Sequence, residues 1–202
     1  MNSRSVQFDD FLSLSGRDFT QHRLLVFHGV SGSGKSTAIS WLLEKHKSFA
    51  GKSSHWLYGP SIPHHWPRSD VAVVDEICRA RDLVLLWRLL RATPQVLVAS
   101  HLPPICFAPF RALGPMATFA TDRSFAKIER ALTRRGIASS DVAVRRFIAC
   151  YRSNYTDLDI VLEHSPSHSF DAALARFQKL CHIRHTPCAA RKPASVCTHS
   201  GE

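Results

Sequence analysis

Two patterns of apolar residues alternate along the chain. Short unbroken runs read as buried strands, and stretches in which apolar residues recur every three or four positions read as helices. Leu24-Leu25-Val26-Phe27 is such a run, and it suits a central parallel strand covered on both faces. The same reading predicts strands at 71–74, 95–100 and 117–120, with a short second strand near Trp56 and Tyr58. A helix is predicted over 38–47, with Ile39, Leu42 and Leu43 on its apolar side. Beyond residue 123 the pattern turns helical, at 124–135, 141–150, 156–163 and 170–180. Ser124, Ser140 or Asp141, and Ser169 or Asp171 are placed to cap three of these helices. Ile128, Leu132, Val144, Phe147, Leu158 and Leu174 are candidate core residues of this region. The expectation is an α/β fold with a mostly parallel sheet of about five strands, followed by a small helical C-terminal region.

The chemistry begins where the first strand ends. Gly29-Val30-Ser31-Gly32-Ser33-Gly34-Lys35-Ser36-Thr37 fits G-x-x-x-x-G-K-[ST], with the strand ahead of it and the helix behind. Glycines let such a loop curl so that several backbone N–H groups face one cluster of phosphate oxygens, and the helix opening at Lys35 adds the positive end of its dipole. Lys35 brings a mobile charge for the β and γ phosphates, Ser36 a hydroxyl for the Mg²⁺ that bridges them, and Thr37 an auxiliary phosphate contact.

These residues resemble the Walker A loop of the P-loop NTPases, and the resemblance covers roughly residues 22–122. It implies a three-layer P-loop fold with ATP and Mg²⁺ as cofactors. Forty residues after Lys35, Val71-Ala72-Val73-Val74-Asp75-Glu76 looks like a Walker B motif. In that likeness Asp75 holds Mg²⁺ and Glu76 polarises the attacking water, the mark of hydrolysis. The run 95–100 ends on Ser100 and His101, either of which could sense the γ-phosphate. Asp82, seven residues after Asp75, stands where an ABC D-loop has its aspartate. The forty residues between Lys35 and Asp75 leave no room for the ABC helical subdomain, and no N-K-x-D sequence reads guanine.

A compact α/β core followed by short helices resembles the AAA+ and STAND-like ATPases, in which a helical lid closes over the nucleotide. The similarity implies an arginine at the γ-phosphate, from the lid or a neighbouring subunit, with Arg123, Arg145 and Arg146 as candidates and a homo-oligomer as one arrangement. The chain is then expected to divide into an N-terminal flap (1–22), an ATPase core (23–122) and a lid-like region (123–181), and the lack of periodic apolar residues after that predicts a flexible basic tail (182–202). Phe8, Phe11, Leu12, Leu14 and Phe19 would pack in the flap, near the adenine as in that group.

Composition narrows the partners. Of 202 residues, 45% are hydrophobic and 21% charged, which excludes a disordered or fibrous chain. No apolar run reaches the length of a membrane helix, and the first twenty residues lack a signal-peptide run, so a cytoplasmic address is expected. The formal net charge is +10, and eight basic residues against two acids fall within 123–152. That segment is expected to form a basic surface for nucleic acid or a protein, or a merely solvated helical face. The six cysteines form no CxxC pair, and Cys181, His185, Cys188, Cys197 and His199 match no ordinary zinc spacing. Trp56, Tyr58, Pro60, Pro63, His64, His65, Trp66 and Pro67 make an aromatic, proline-rich connection that could stack a base or pack on the core.

The leading expectation is therefore an ATPase that couples Mg²⁺-dependent hydrolysis to conformational change or assembly on a macromolecule. One alternative is a small-molecule kinase, since 29–37 is very similar to the loop of gluconate kinases. There Asp75 or Glu76 would be the base, and Arg79, Arg81, Arg111 and Arg123 an arginine lid. Another is a slow nucleotide-dependent switch that binds nucleic acid.

Overall fold

The run 24–27 is fully buried, and its alternate side chains face two different cores. A computed structural model of the chain, describing residues 9–59, 65–164 and 168–184, places it as β1 (Leu24–His28) in a five-stranded sheet. The other strands are β2 (Ser54–Tyr58), β3 (Val71–Ile77), β4 (Gln95–Ser100) and β5 (Met116–Ala120). Their order is β2-β3-β4-β1-β5, and every pairing is parallel. The α/β class and the strand count expected from the sequence are those observed, and the sheet is parallel throughout. β4 lies between the strand that leads into the glycine loop and the strand that ends on Asp75-Glu76.

The register divides each strand between the faces. Leu24, Val26, Ala72, Val74, Val96 and Val98 pack with α2 (Ala80–Ala92) and a run of 3-10 turns, Pro104–Leu113. Leu25, Phe27, Val71, Val73, Leu97 and Ala99 pack with α1 (Lys35–Lys45) and with Leu14 and Phe19 of the N-terminal segment. That segment is strapped to the sheet through polar groups: Gln95 donates to the Phe19 and His22 carbonyls at 2.9 Å, and Ser48 Oγ accepts from the Phe19 amide at 3.1 Å.

A third core belongs to α3 (Phe125–Arg134), α4 (Asp141–Tyr151), α5 (Tyr155–His164) and α6 (Phe170–Arg184). Ser124 and Ser140 cap α3 and α4, accepting from Lys127 N and Ala143 N, and Asp171 accepts from the Ser140 amide at 2.9 Å. The helix α2 and the 3-10 run have no counterpart among the elements expected from the pattern. Asp82, the D-loop-like aspartate, is buried and caps α2, accepting from Arg79 N at 3.0 Å. Trp56 stays 44% exposed on the edge strand, whereas Trp66 packs against the first core. Phe8, Pro60, Pro63, His64, His185, Cys188, Cys197 and His199 lie outside the described residues. No helix among the described residues is long and apolar enough to cross a membrane.

Phe147 is fully buried in the third core, against the rings of Tyr151 and Phe170 at 5.3 and 5.6 Å. Phe147→Ala is expected to lower the unfolding free energy by about 3–5 kcal/mol, read from urea denaturation followed by circular dichroism.

Candidate functional site

Parallel pairing sends the C-terminal ends of the strands to one edge of the sheet, and the chemically equipped residues gather there. The loop after β1 turns through Gly32 (φ +71) and Gly34 (φ +86), in the left-handed region that glycine adopts without strain. Gly34 is the N-cap of α1, has no side-chain cap bond, and is followed by no acidic residue in the first turn. The opening amides of α1 are thus left to another acceptor. Lys35 is buried and donates to the Gly29 and Val30 carbonyls at 3.0 and 2.8 Å. Burial pulls its pKa down, and Asp75, Asp122 and Glu76 oppose that shift.

At the end of β3 the ladder to β4 is interrupted between Val74 and Ile77. The two intervening residues are Asp75 and Glu76, released from that ladder at the sheet's edge. Ser36 Oγ donates to the Asp75 carboxylate, 2.9 Å from both oxygens. Glu76 has φ +58, an unfavourable conformation for a side chain of its size, and its Oε2 accepts from the Tyr58 hydroxyl at 2.7 Å. That bond holds the Tyr58 phenol protonated above its usual range.

The sensor candidates separate. Ser100 is fully buried, donating to the Ile77 carbonyl at 2.8 Å and accepting from the Leu102 amide at 2.9 Å, so its hydroxyl joins two strand ends. His101 interacts electrostatically with Lys35, Glu76 and Asp75. Burial first, then Lys35, lowers its pKa and keeps the imidazole neutral near pH 7. Of the arginines, Arg123 acts on His28 at the end of β1, whereas Arg145 lies over the Phe125 ring at 5.1 Å and Arg146 is exposed on α4.

The expected basic surface needs one correction. Lys127, counted in it, is turned inward with no exposed surface, because the apolar face of α3 carries it under the glycine loop. Arg134 and Arg135 pair with Asp9 and Asp159, each at 2.5 Å.

Several residues at the site carried no motif. Thr121 Oγ1 bonds Ser33 Oγ at 2.6 Å and donates to the His28 carbonyl at 3.1 Å. Asp122 acts on Lys35, His28 and Lys127. Both follow an apolar strand, the signal that marked Ser100 and His101. Tyr58 likewise ends β2.

The oxygen donors suit a small hard cation. A hydroxyl and both oxygens of a carboxylate within 2.9 Å, with Glu76 adjacent, form an all-oxygen set of the kind Mg²⁺ takes together with water. Ser36 and Asp75 are the residues that could hold it.

No family model matches the chain. No curated protein matches it either. Among solved structures it is similar in layout to C. elegans PCH-2, at 13% sequence identity and a TM-score of 0.38, over 81% of this chain and 61% of that one. The chain thus spans less than two thirds of that protein's length.

A Cβ at Gly32 would lie 2.4 Å from Asn154 Oδ1 and 2.5 Å from Thr156 Oγ1, in a backbone conformation that strains alanine. Gly32→Ala is expected to cost about 1–3 kcal/mol of stability in thermal and urea unfolding.

Proposed function

We propose that this protein binds ATP on residues 29–37 and hydrolyses it, coupling turnover to conformational change or assembly on a macromolecular partner. The observation that carries the reading is the contact between Ser36 and Asp75. Residues far apart in sequence bring the hydroxyl that follows a glycine loop within 2.9 Å of Asp75, the first of two adjacent carboxylates. A glycine turn alone has no reason to meet two adjacent acids at a strand end.

In this reading the amides opening α1 and the Lys35 ammonium take the phosphate oxygens, whose charge restores the ammonium's preference for its proton. Ser36 and Asp75 would hold Mg²⁺, which when bound would supply neutralisation of phosphate charge. Glu76 accepts a proton from water as the water oxygen bonds to the γ phosphorus. The bond from that phosphorus to the bridging oxygen breaks, and ADP and phosphate leave. The Tyr58 bond engages Oε2 and orients the carboxylate, and Oε1 is the oxygen left to take the proton. His101, neutral and beside Lys35, is the better-placed γ-phosphate sensor, and Arg123 the better-placed arginine of the core. An arginine from a second copy of the chain fits the same scheme.

The measurement is phosphate release from ATP with Mg²⁺. Lys35→Ala is expected to weaken ATP binding about a hundredfold or more. Glu76→Gln is expected to bind ATP within about threefold of the native protein and to release phosphate about 10²- to 10⁴-fold more slowly. Native turnover in Glu76→Gln would remove hydrolysis by Glu76. Tight binding without release in the native protein would redirect the reading to phosphoryl transfer onto a small-molecule acceptor, or to a slow switch.

Nucleic acid is the partner class that the exposed arginines support. Because Arg134 and Arg135 are engaged by carboxylates, Arg145 and Arg146 are the informative pair. Arg145→Glu with Arg146→Glu is expected to weaken single-stranded nucleic acid binding at least tenfold and to flatten its salt dependence, with ATP binding unchanged. Binding retained in the double variant would move the partner elsewhere.

A further inference from the structure

The helical region also bonds the glycine loop. The Gly32 carbonyl accepts from the Tyr155 amide at the start of α5, at 3.2 Å. The next carbonyl, that of Ser33, accepts from the Lys127 ammonium at 2.5 Å. Lys127 also donates to the Thr121 carbonyl at 3.2 Å and to the Ser153 carbonyl, so its three N–H bonds reach the loop, the end of β5 and the turn before α5. The rings of Tyr155 and Phe11 close over the ammonium at 4.3 and 5.1 Å.

Peptide planarity gives this contact a consequence. In a trans peptide the C=O and the following N–H point in opposite directions. Drawing the Gly32 and Ser33 carbonyls outward turns the amides of Ser33 and Gly34 inward. The Ser33 amide accordingly reaches the Val30 carbonyl at 3.3 Å, the same carbonyl that takes the Lys35 ammonium. By the same planarity the Gly34 amide points away from Lys127, and the helical region holds both peptides in that orientation.

We propose that Lys127 is a positioning residue for the phosphate cradle: by clamping the Ser33 carbonyl it aims the Gly34 amide at the ligand's phosphate and makes nucleotide affinity depend on the docked helical region. This rests on the ATP-binding reading and deepens it.

The charge of Lys127 supports the clamp. Burial lowers its pKa to about 7, Asp122 after β5 opposes the shift, and Lys35 at the start of α1 adds to it. From α5 it meets Tyr155, whose phenol burial keeps neutral, and from the N-terminal segment the uncharged ring of Phe11. Phosphates arriving across the loop favour the charged form, so binding draws a proton onto Lys127. Affinity is then highest where the proton is already in place and falls as pH rises through about 7 and above. His28 and His101, with lowered pKa values, are neutral throughout the alkaline range and contribute no slope there, whereas Lys35, its pKa also lowered by burial, adds a slope of its own.

Three measurements test this. In the native protein, MgATP affinity is expected to fall about three- to tenfold from pH 7.5 to pH 9.5. Lys127→Arg, which stays charged, should flatten that slope to the part that Lys35 contributes. Lys127→Met, shown folded by its urea midpoint, should bind ATP at least about tenfold more weakly with kcat at saturating ATP within about twofold. Without any nucleotide, hydrogen exchange in peptides covering 29–37 should be about tenfold faster in Lys127→Met, with β3 and β4 unchanged. Unchanged exchange and a native pH slope in Lys127→Met would overturn the clamp. A flat native profile with binding intact would do the same. Faster exchange in a protein that binds no ATP would instead strike the ATP reading and leave the clamp standing.

Discussion

Everything chemical in this molecule depends on the parallel pairing of β1 with β4 and β5 and of β3 with β2 and β4. Because all five strands run the same way, their C-terminal ends share one edge, and each strand there releases a polar residue that the buried interior could not hold. His28 ends β1 and the glycine loop follows it, Tyr58 ends β2, Asp75 and Glu76 lie just before the end of β3, Ser100 ends β4 with His101 after it, and Thr121 and Asp122 follow β5. The apolar side chains behind them are committed to the two faces by register, so a slip of one residue would exchange those faces and scatter this edge.

The interposed strand sets the spacing. With β4 between them, β1 and β3 do not pair, yet Ser36 reaches Asp75 because the loop carries the start of α1 back across the end of β4. The cost of this edge is visible in the backbone. Glu76 sits at φ +58 and the β3–β4 ladder breaks around it, a local strain that the surrounding ladders hold in place. The Ser100 hydroxyl is part of that support, since it fixes the Ile77 carbonyl just beyond the break.

Much of this was legible because it is written locally. The glycine loop is a contiguous string whose spacing encodes its own geometry, and the strands of β1, β3 and β4 are short apolar runs long enough to span a sheet. Ser124 and Ser140 cap helices as their sequence neighbours suggest. What escaped depends on contacts between distant segments. Lys127 reads as one more cation in a basic stretch, and only the meeting of α3 with the loop and with the turn at Ser153 turns it inward. The bond between Tyr58 and Glu76 joins residues that share no motif. The helix α2 was obscured because its residues also fit a loop motif, until Asp82 is seen capping it.

The glycine loop is thus held by two ammonium groups with different tasks. Lys35 gathers the loop's first carbonyls, and Lys127 draws a later one. Burying an ammonium without a carboxylate in contact is costly, and three carbonyl acceptors and two aromatic faces offset that cost only while the helical region is docked. Undocking would free Lys127 to water and free the Ser33 carbonyl together. The loop's shape and the position of the helices are therefore one equilibrium, and a ligand that needs the inward amides must also favour the docked helices. Under the proposed reading, that linkage would turn phosphate binding into a bias on the position of the helices.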